Sequence, residues 1–266
     1  MAICQLADVA LYYEVVGEGP PLLFIHGLGS STHDWIYQVV LFGGYYRTIT
    51  FDLRGHGQSS KPPGPYSIPQ LAADAAGLLH HLGQFPAHVV GLSLGGSIAL
   101  QLALDYPELV RSLVVVNSGP ALPLDSLPEK LHVLWNYLKR LAVIHGWGMC
   151  KMGEQLAANL LPEPEQAWQR QAMIERWAAN DKRAYLAAMN AMRGWNVTAR
   201  LPDITCPVQI IHAEYDYTPL SFKQRYAAHL PKAELAVIPD ARHLTPVDKP
   251  AEFNRTLLSF LQAHPY

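Results

Sequence analysis

Three residues of complementary chemistry, Ser93, Asp216 and His243, stand far apart in this chain of 266 residues. A serine hydroxyl is a poor nucleophile unless an imidazole takes its proton, and a carboxylate must hold that imidazole in the correct tautomer. The set therefore predicts a nucleophile, an acid and a base that transfer an acyl group through a covalent intermediate. Such chemistry requires the three side chains to meet at one edge of a sheet.

The candidate nucleophile Ser93 lies at the centre of the sequence Gly-Leu-Ser-Leu-Gly, residues 91–95. An apolar run precedes this stretch and a run of helix formers follows it, so we expect a strand, a sharp turn and a helix. The turn forces the serine into strained backbone angles, and a Cβ on either flanking glycine would collide with the adjacent strand or helix. The alternative is a glycine-rich turn that carries an ordinary serine.

Two backbone N–H groups are predicted to face a developing oxyanion. One belongs to Leu28, in a His-Gly-Leu-Gly loop that follows an apolar strand, and the other to Leu94, directly after the serine. Glycines on either side of Leu28 allow the backbone to approach a substrate closely. His26, which opens this loop, is predicted to shape it by hydrogen bonding and not to transfer protons. The alternative for the loop is a tight connection without a chemical role.

The candidate acid and base each follow an apolar run near the end of the chain. The chain order of Ser93, Asp216 and His243 is nucleophile, acid and base, which is the order expected for strand-end residues of this architecture. Asp240 and Asp248 lie closer to the histidine in sequence and are alternative acids. Asp216 is preferred because it follows a strand of its own.

The wider chain predicts an α/β fold with a doubly wound, mostly parallel sheet, because strand runs alternate with loops and helices. Predicted strands cover residues 8–16, 22–25, 46–51, 88–90, 110–117, 204–217 and 233–238. Predicted helices of the core cover residues 33–42, 67–82, 96–104, 221–230 and 250–263. The first strand is expected to be antiparallel. The core is assigned to residues 1–118 and 196–266.

Residues 119–195 interrupt this pattern and are predicted to form a helical cap inserted between two core strands. They lack strand runs, and four helices are predicted, over residues 127–144, 151–160, 164–180 and 181–193. The segment holds five of the six tryptophans of the chain. Aromatic residues at helical spacing are typical of a core, and because a cap would roof the sheet edge, we expect some of them to face a pocket. The sequence does not assign individual substrate-binding residues.

The composition argues against several classes of partner. Charged residues make up 16% of the chain and its formal net charge is -2, so neither nucleic acid nor an anionic membrane is expected to bind. The chain has no run of about 18 apolar residues, so no membrane span is predicted. The N-terminus lacks the pattern of a signal peptide. Three scattered cysteines form neither a disulfide framework nor a metal motif. We therefore expect reduced thiols in a cytoplasmic protein, with no metal and no cofactor.

The motifs resemble those of the α/β-hydrolase superfamily over residues 8–118 and about 197–264. The matching segments are residues 26–29, 52–59, 91–96, 214–216 and 241–246. Within the superfamily, the chain is most similar to small bacterial carboxylesterases and 3-oxoadipate enol-lactonase-like hydrolases. The resemblance implies hydrolysis of a small-molecule ester or lactone through an acyl-enzyme on Ser93, without a cofactor. The polar loop of residues 52–59 is predicted to be scaffold, with Asp52 and Arg54 as a possible ion pair.

Two other functions stay open at this point. One is a carbon–carbon bond hydrolase of a diketone-type ring-cleavage product, although such members often carry tryptophan directly after the catalytic histidine and this chain has Leu244. The other is a ligand receptor that retains the triad but turns over slowly. A serine nucleophile argues against haloalkane dehalogenases and epoxide hydrolases, which use aspartate. The apolar insertion favours an uncharged acyl group, while the substrate, the pathway and the oligomeric state are left open.

Overall fold

A computed structural model describes residues 2–123 and 126–266 of the chain. In chain order the strands are β1 (Ala2–Gln5), β2 (Ala10–Val16), β3 (Pro21–Ile25), β4 (Arg47–Phe51), β5 (Ala87–Leu92), β6 (Val110–Val116), β7 (Val208–Tyr215) and β8 (Ala233–Arg242). They form an eight-stranded sheet in the order β1-β2-β4-β3-β5-β6-β7-β8. β2 pairs antiparallel with β1 and β4, and the remaining pairs are parallel. The predicted α/β fold with a mostly parallel sheet is therefore confirmed.

The centre of the sheet consists of continuous apolar strands that are buried on both faces. Every residue of β3 and β5 is buried. Leu23 and Ile25 contribute to the core on one face, while Leu22 and Phe24 contribute to the core on the other. This alternation follows from the two-residue period of a strand and explains why helices must cover both faces. The parallel register brings the carboxyl ends of β3, β5 and β6 to one edge.

Helices cover the sheet in the positions that the apolar periodicity indicates. They are α1 (Ile36–Phe42), α2 (Ile68–Leu82), α3 (Leu94–Asp105), α4 (Leu127–Gly146), α5 (Gly148–Leu160), α6 (Ala167–Ala178), α7 (Lys182–Ala191), α8 (Leu220–Ala227), α9 (Thr245–Asp248) and α10 (Pro250–Ala263). The predicted N-cap of α2 is confirmed, because the Ser67 side chain accepts a hydrogen bond from Gln70 N at 3.3 Å. Gly83 ends this helix in the left-handed conformation.

Several elements differ from the sequence-based prediction, among them the four-residue helix α9, which was not predicted. β1 was not predicted, because a four-residue strand with Cys4 as its one buried residue carries almost no periodic signal. The predicted helix over residues 33–42 begins as a 3₁₀ turn, Thr32–Trp35, before α1. β8 continues beyond the predicted end at residue 238, because pairing with β7 resumes at Tyr215 and Arg242 after a register shift.

Residues 119–195 leave the sheet after β6 and return before β7. Their ends meet, since Ala121 and Asn196 form an antiparallel bridge and Val197 N donates to Pro120 O at 2.9 Å. The segment contains α4 to α7, with a 3₁₀ turn before α6, while residues 124 and 125 lie outside the described part. The boundaries of a separate cap stay a prediction. Within the described ranges, no helix combines the length and the apolar character needed to cross a bilayer.

The tryptophans of residues 119–195 are not all buried, although their spacing predicted core positions. Trp177 is buried, and Trp195 is half-buried. Trp135, Trp147 and Trp168 are instead between 59% and 70% exposed, so the expectation of core packing is wrong for these three. Helical spacing shows which residues share a face, but it does not show whether another element covers that face.

Candidate active site

Ser93 occupies the turn between β5 and α3, with a positive φ of 55° and a ψ of −117°. A positive φ is uncommon for a residue with a side chain, and such strain clusters at functional sites. The backbone is held on both sides, because Ser93 N donates to Val116 O at 2.9 Å and Ser93 O accepts from Gly96 N at 2.9 Å. The turn therefore fixes the serine at the carboxyl end of β5 and at the N-terminus of α3.

The glycines around the serine are required by close backbone approaches. A Cβ on Gly91 would collide with the carbonyl oxygen of Gly95, and a Cβ on Gly95 would collide with the carbonyl oxygen of Ile25. The helix α3 is thereby packed directly against β3 and β5. The steric reason predicted from the sequence therefore holds, because carbonyl oxygens of β3 and of α3 itself leave no room for a Cβ at these glycines.

The loop after β3 lies beside the serine. A Cβ built on Gly27 would stand 3.5 Å from Ser93 Cβ. Ser30 N donates to Gly27 O at 3.3 Å, so Leu28 and Gly29 form the centre of a turn whose hydrogen bond does not use the Leu28 N–H. Leu28 lines the same cavity as Ser93. The other predicted donor, Leu94 N–H, belongs to the first residue of α3 and therefore has no acceptor within its own helix.

His26 holds this loop as a neutral imidazole. Its Nδ1–H donates to Gly27 O at 2.7 Å, and its Nε2 accepts from Leu53 N at 3.0 Å. Burial lowers the pKa of His26 to about 4. Both ring nitrogens are thus occupied, and the group is uncharged at neutral pH. This arrangement is a structural one, in keeping with the prediction for His26.

The second half of the site brings Asp216 and His243 together. His243 Nδ1 lies 2.5 Å from Asp216 Oδ1. Because the carboxylate can only accept, Nδ1–H is the donor, and Nε2 is the acceptor in the neutral form of the imidazole. Burial raises the pKa of Asp216, but His243, Lys223 and the Thr218 hydroxyl more than offset it, so the pKa lies well below its usual range. The aspartate therefore stays ionised and holds the imidazole in the tautomer that a general base needs.

The far oxygen of the same carboxylate meets two further groups. Thr218 Oγ1 donates to Asp216 Oδ2 at 2.7 Å, and Lys223 Nζ lies 3.3 Å from the same oxygen. Lys223 Nζ also donates to Thr218 Oγ1 at 2.6 Å. The lysine side chain is fully buried, and no sequence signal marked it, because its role depends on α8 packing against the end of β7.

The loop that carries His243 is anchored at its backbone. Asn117, which follows β6, donates from Nδ2 to His243 O at 2.8 Å and to Thr245 Oγ1 at 2.7 Å. Its Oδ1 accepts from Ala213 N at 2.8 Å. These bonds tie β6, β7 and the histidine loop together. Asn117 was likewise absent from the sequence prediction, since it lies 126 residues from His243.

The alternative acids have other partners. Asp248 Oδ2 accepts from Arg242 N at 2.7 Å, and its Oδ1 accepts from Gln166 Nε2 at 2.7 Å. Asp240 pairs with Lys249 at 2.7 Å, and its side chain is 75% exposed. Neither carboxylate is hydrogen-bonded to the ring of His243, whereas Asp216 is.

The loop of residues 52–59 is scaffold, but with a different ion pair from the one expected. Asp52 accepts from Thr32 N at 2.8 Å and from Gln58 N at 2.7 Å. The predicted pairing of Asp52 with Arg54 is wrong, because the buried guanidinium binds Asp74 at 2.5 Å and Asp8 at 2.9 Å instead. Asp74 and Asp8 lie 20 and 46 residues from Arg54, so the local sequence could not identify them as its partners.

A cavity of about 240 Å³ connects the two halves of the site. Ser93 and His243 both line it, and most of its other polar residues follow the carboxyl ends of β3, β6 and β7, while Ser97 lies on α3 and Arg140 lies on α4. The helical segment contributes an apolar wall of Leu156, Leu160, Met173, Trp177 and Met192. The ring of Tyr217 stacks on His243 with centroids 4.3 Å apart. The cavity is therefore a small, mainly apolar chamber with the polar groups concentrated on the sheet side.

The helix α6 and the residue Asn180 after it also contact the loop after β3. Asn180 Nδ2 donates to Gly29 O at 2.8 Å, and a Cβ on Gly29 would stand 2.7 Å from the Trp177 ring. Arg176 approaches the buried Asp34 at 3.9 Å. These contacts join the helical segment to the loop that contains Leu28.

Among residues 2–123 and 126–266, no group of three or more histidine, cysteine, aspartate or glutamate side chains is arranged to hold a metal ion.

Comparison with known proteins supports the architecture and the class. The model of the family described as "Alpha/beta hydrolase family" matches residues 22–256. The chain is 29% identical to 3-oxoadipate enol-lactonase 2 of Acinetobacter baylyi, over 94% of this chain and 92% of that protein. It is 31% identical to a Caulobacter vibrioides protein named as a candidate carbamate hydrolase, RutD, over 95% of each chain.

A solved structure has the same fold over nearly the whole chain. The crystal structure of a hydrolase from Pseudomonas aeruginosa superposes with a TM-score of 0.86 at 28% sequence identity. The match covers 98% of this chain and 97% of that one. The similarity therefore spans the sheet, the helices of residues 119–195 and the strand ends that carry the site.

Proposed function

The chain belongs to the alpha/beta hydrolase family, and from this premise we propose that it cleaves a small carboxylic ester or lactone through an acyl-enzyme on Ser93. One observation carries the proposal: His243, bound to Asp216 at 2.5 Å, lines the same cavity as the strained serine. That arrangement supplies a nucleophile and a base, with a carboxylate that orients the base.

The proposed reaction proceeds in two halves. His243 Nε2 takes the Ser93 hydroxyl proton as Oγ attacks the substrate carbonyl carbon, and the oxyanion is stabilised by the N–H groups of Leu28 and Leu94. The imidazolium then gives its proton to the departing alkoxide, which leaves as an alcohol. A water molecule, deprotonated by the same imidazole, attacks the acyl-enzyme, and the acid is released as Ser93 regains its proton. A lactone follows the same course, except that its alcohol stays attached to the acid.

The substrate class is supported by the chemistry shared among the relatives. Enol-lactones and carbamates both present a carbonyl carbon bonded to a heteroatom that can leave, and a serine nucleophile attacks both in the same way. The small chamber beside Ser93 fits an acyl group of modest size. We infer further that residues 119–195 act as a cap over this chamber. The free thiols of Cys4, Cys150 and Cys206 are compatible with the proposed cytoplasmic location.

The test is intact mass after incubation with a fluorophosphonate. We expect one adduct on the wild-type protein and none on Ser93→Ala, because only an activated serine is phosphonylated. Ser97 lies one helical turn away and also lines the cavity, so Ser97→Ala is the matched control that should retain the adduct. An adduct of equal yield on Ser93→Ala would refute Ser93 as the nucleophile.

A substrate panel then separates the remaining functions. We expect turnover of p-nitrophenyl esters or of lactones at a steady rate over many cycles. Exclusive turnover of diketones would identify a carbon–carbon bond hydrolase instead. Release of a single equivalent of product, followed by arrest, would identify a ligand receptor with a retained triad.

A further inference from the structure

Arg140, on α4, is part of the wall of the active-site cavity that contains Ser93 and His243. It also lines a second cavity of about 670 Å³ beside α4, which shares Tyr217 and Thr218 with the first. The side chain is half-buried. The guanidinium thus stands where the small chamber meets a larger space, in a wall that is otherwise apolar on the helical side.

Tyr217 connects Arg140 to the candidate base. Arg140 and Tyr217 both line the active-site cavity and the larger cavity, and the Tyr217 ring stacks on His243 with centroids 4.3 Å apart. Burial raises the pKa of the Tyr217 hydroxyl, and the Arg140 charge opposes that rise, in agreement with this placement. Arg140 therefore shares a cavity wall with a residue that touches the candidate base.

The other charged groups of the active-site cavity have partners of opposite charge. Lys223 lies 3.3 Å from Asp216, and Asp34 lies 3.9 Å from Arg176. Arg140 has no carboxylate within ion-pair distance among residues 2–123 and 126–266. A cation that faces an apolar chamber without a counterion favours an anionic ligand there, because the ligand replaces the hydration that the guanidinium has lost.

We propose that Arg140 binds a free carboxylate on the substrate, so that the preferred substrates are esters or lactones that also carry a carboxylate group. This inference rests on the proposed function and names its substrate class. Guanidinium suits this role because its planar N–H groups match the two oxygens of a carboxylate. The inference replaces the expectation of an uncharged acyl group, which came from composition alone and could not place a single arginine among apolar neighbours.

The test compares matched substrates that differ in one charge. The p-nitrophenyl monoesters of succinic, glutaric and adipic acid are each compared with the same compound capped as a methyl ester. The acid series varies the distance between the reacting carbonyl and the carboxylate. We expect wild-type kcat/KM to be higher for at least one free acid than for its methyl ester by about 10- to 100-fold.

Two variants assign that preference to Arg140. Arg140→Met should lower the ratio of free-acid to methyl-ester kcat/KM to about 1, and Arg140→Lys should retain part of the preference because the charge remains. Fluorophosphonate labelling of Ser93 in Arg140→Met shows that the variant is folded. Lys130→Met is the control, since Lys130 is exposed on the same helix and lines neither cavity.

The outcomes separate this inference from the function on which it rests. A wild-type preference that Arg140→Met leaves intact would overturn the role of Arg140. Equal turnover of free acids and methyl esters would overturn the carboxylate class while leaving the serine hydrolase in place. Absence of both turnover and a fluorophosphonate adduct would instead defeat the proposed function itself.

Discussion

Lys223 Nζ lies 3.3 Å from Asp216 Oδ2, and neither side chain is exposed to solvent. Burial lowers the pKa of Lys223, while the aspartate opposes that effect. The candidate acid is therefore placed between two groups, with His243 on Oδ1 and the ammonium on Oδ2. The ammonium partly offsets the negative charge of the carboxylate at the imidazole, and it would repel the imidazolium of the proposed reaction.

We expect Lys223→Met to lower the free energy of unfolding by about 3 kcal/mol, because the buried Asp216 carboxylate would lose the ammonium that lies 3.3 Å from it. Methionine has a similar volume, which limits repacking. The measurement is urea unfolding at neutral pH. Lys232→Met removes an exposed lysine and should change the free energy of unfolding by less than about 0.5 kcal/mol. Equal stability of Lys223→Met and the wild type would show that the ammonium does not stabilise the buried carboxylate.

Asp216→Asn should reduce kcat by about 10⁴-fold, because an amide can donate to Nδ1 and stabilise the wrong imidazole tautomer. The check is kcat for an ester that the wild-type protein turns over readily, together with the unfolding midpoint. Asp240→Asn is the matched control, since Asp240 is exposed and pairs with Lys249. If the two variants had equal rates, another carboxylate would have to be the acid.

Gly95→Ala should lower the free energy of unfolding by about 2 kcal/mol or more, because its Cβ would meet the Ile25 carbonyl oxygen. Backbone cannot move aside as a flexible side chain can. Gly146→Ala, at the end of α4, has nothing within 4 Å of the added Cβ and should change stability by less than about 0.5 kcal/mol. Urea unfolding of the three proteins measures the difference. Equal stability of Gly95→Ala and the wild type would contradict the close packing of α3 on β3.

The burial of His88 is expected to make the free energy of unfolding depend on pH. His88 is fully buried in β5 with its Nδ1 2.7 Å from Ser112 Oγ, and burial lowers its pKa to about 4. Below its ordinary pKa of about 6.5, the unfolded chain binds a proton that the folded protein does not. Stability must therefore fall as the pH drops from 7 towards 4.

His88→Gln should remove that contribution. Between pH 7 and pH 5, we expect the loss of unfolding free energy to be smaller in the variant by about 1–2 kcal/mol. The comparison uses urea unfolding at both pH values. His145→Gln, which changes an exposed histidine of α4, should show the same pH dependence as the wild type. Parallel behaviour of His88→Gln and the wild type would mean that His88 binds a proton equally well in the folded and the unfolded protein.

The sequence by itself determined those features whose cause is local. Continuous apolar runs predicted the central strands, because a strand covered on both faces needs apolar residues at every position. The glycines around Ser93 predicted the strained turn, because nearby backbone leaves no room for a Cβ. The roles of Ser93, Asp216 and His243 were predicted from their order in the chain and from the position of each after a predicted strand.

Only the tertiary structure decided which distant groups meet. The ammonium of Lys223 reaches Asp216 because α8 packs against the end of β7, and Asn117 reaches the backbone of His243 across 126 residues. Arg54 bonds to Asp74 and not to its sequence neighbour Asp52. Arg140 enters the cavity because α4 turns that side chain inward. Such contacts depend on packing between elements, and no spacing along the chain encodes the distance between two groups that the fold brings together.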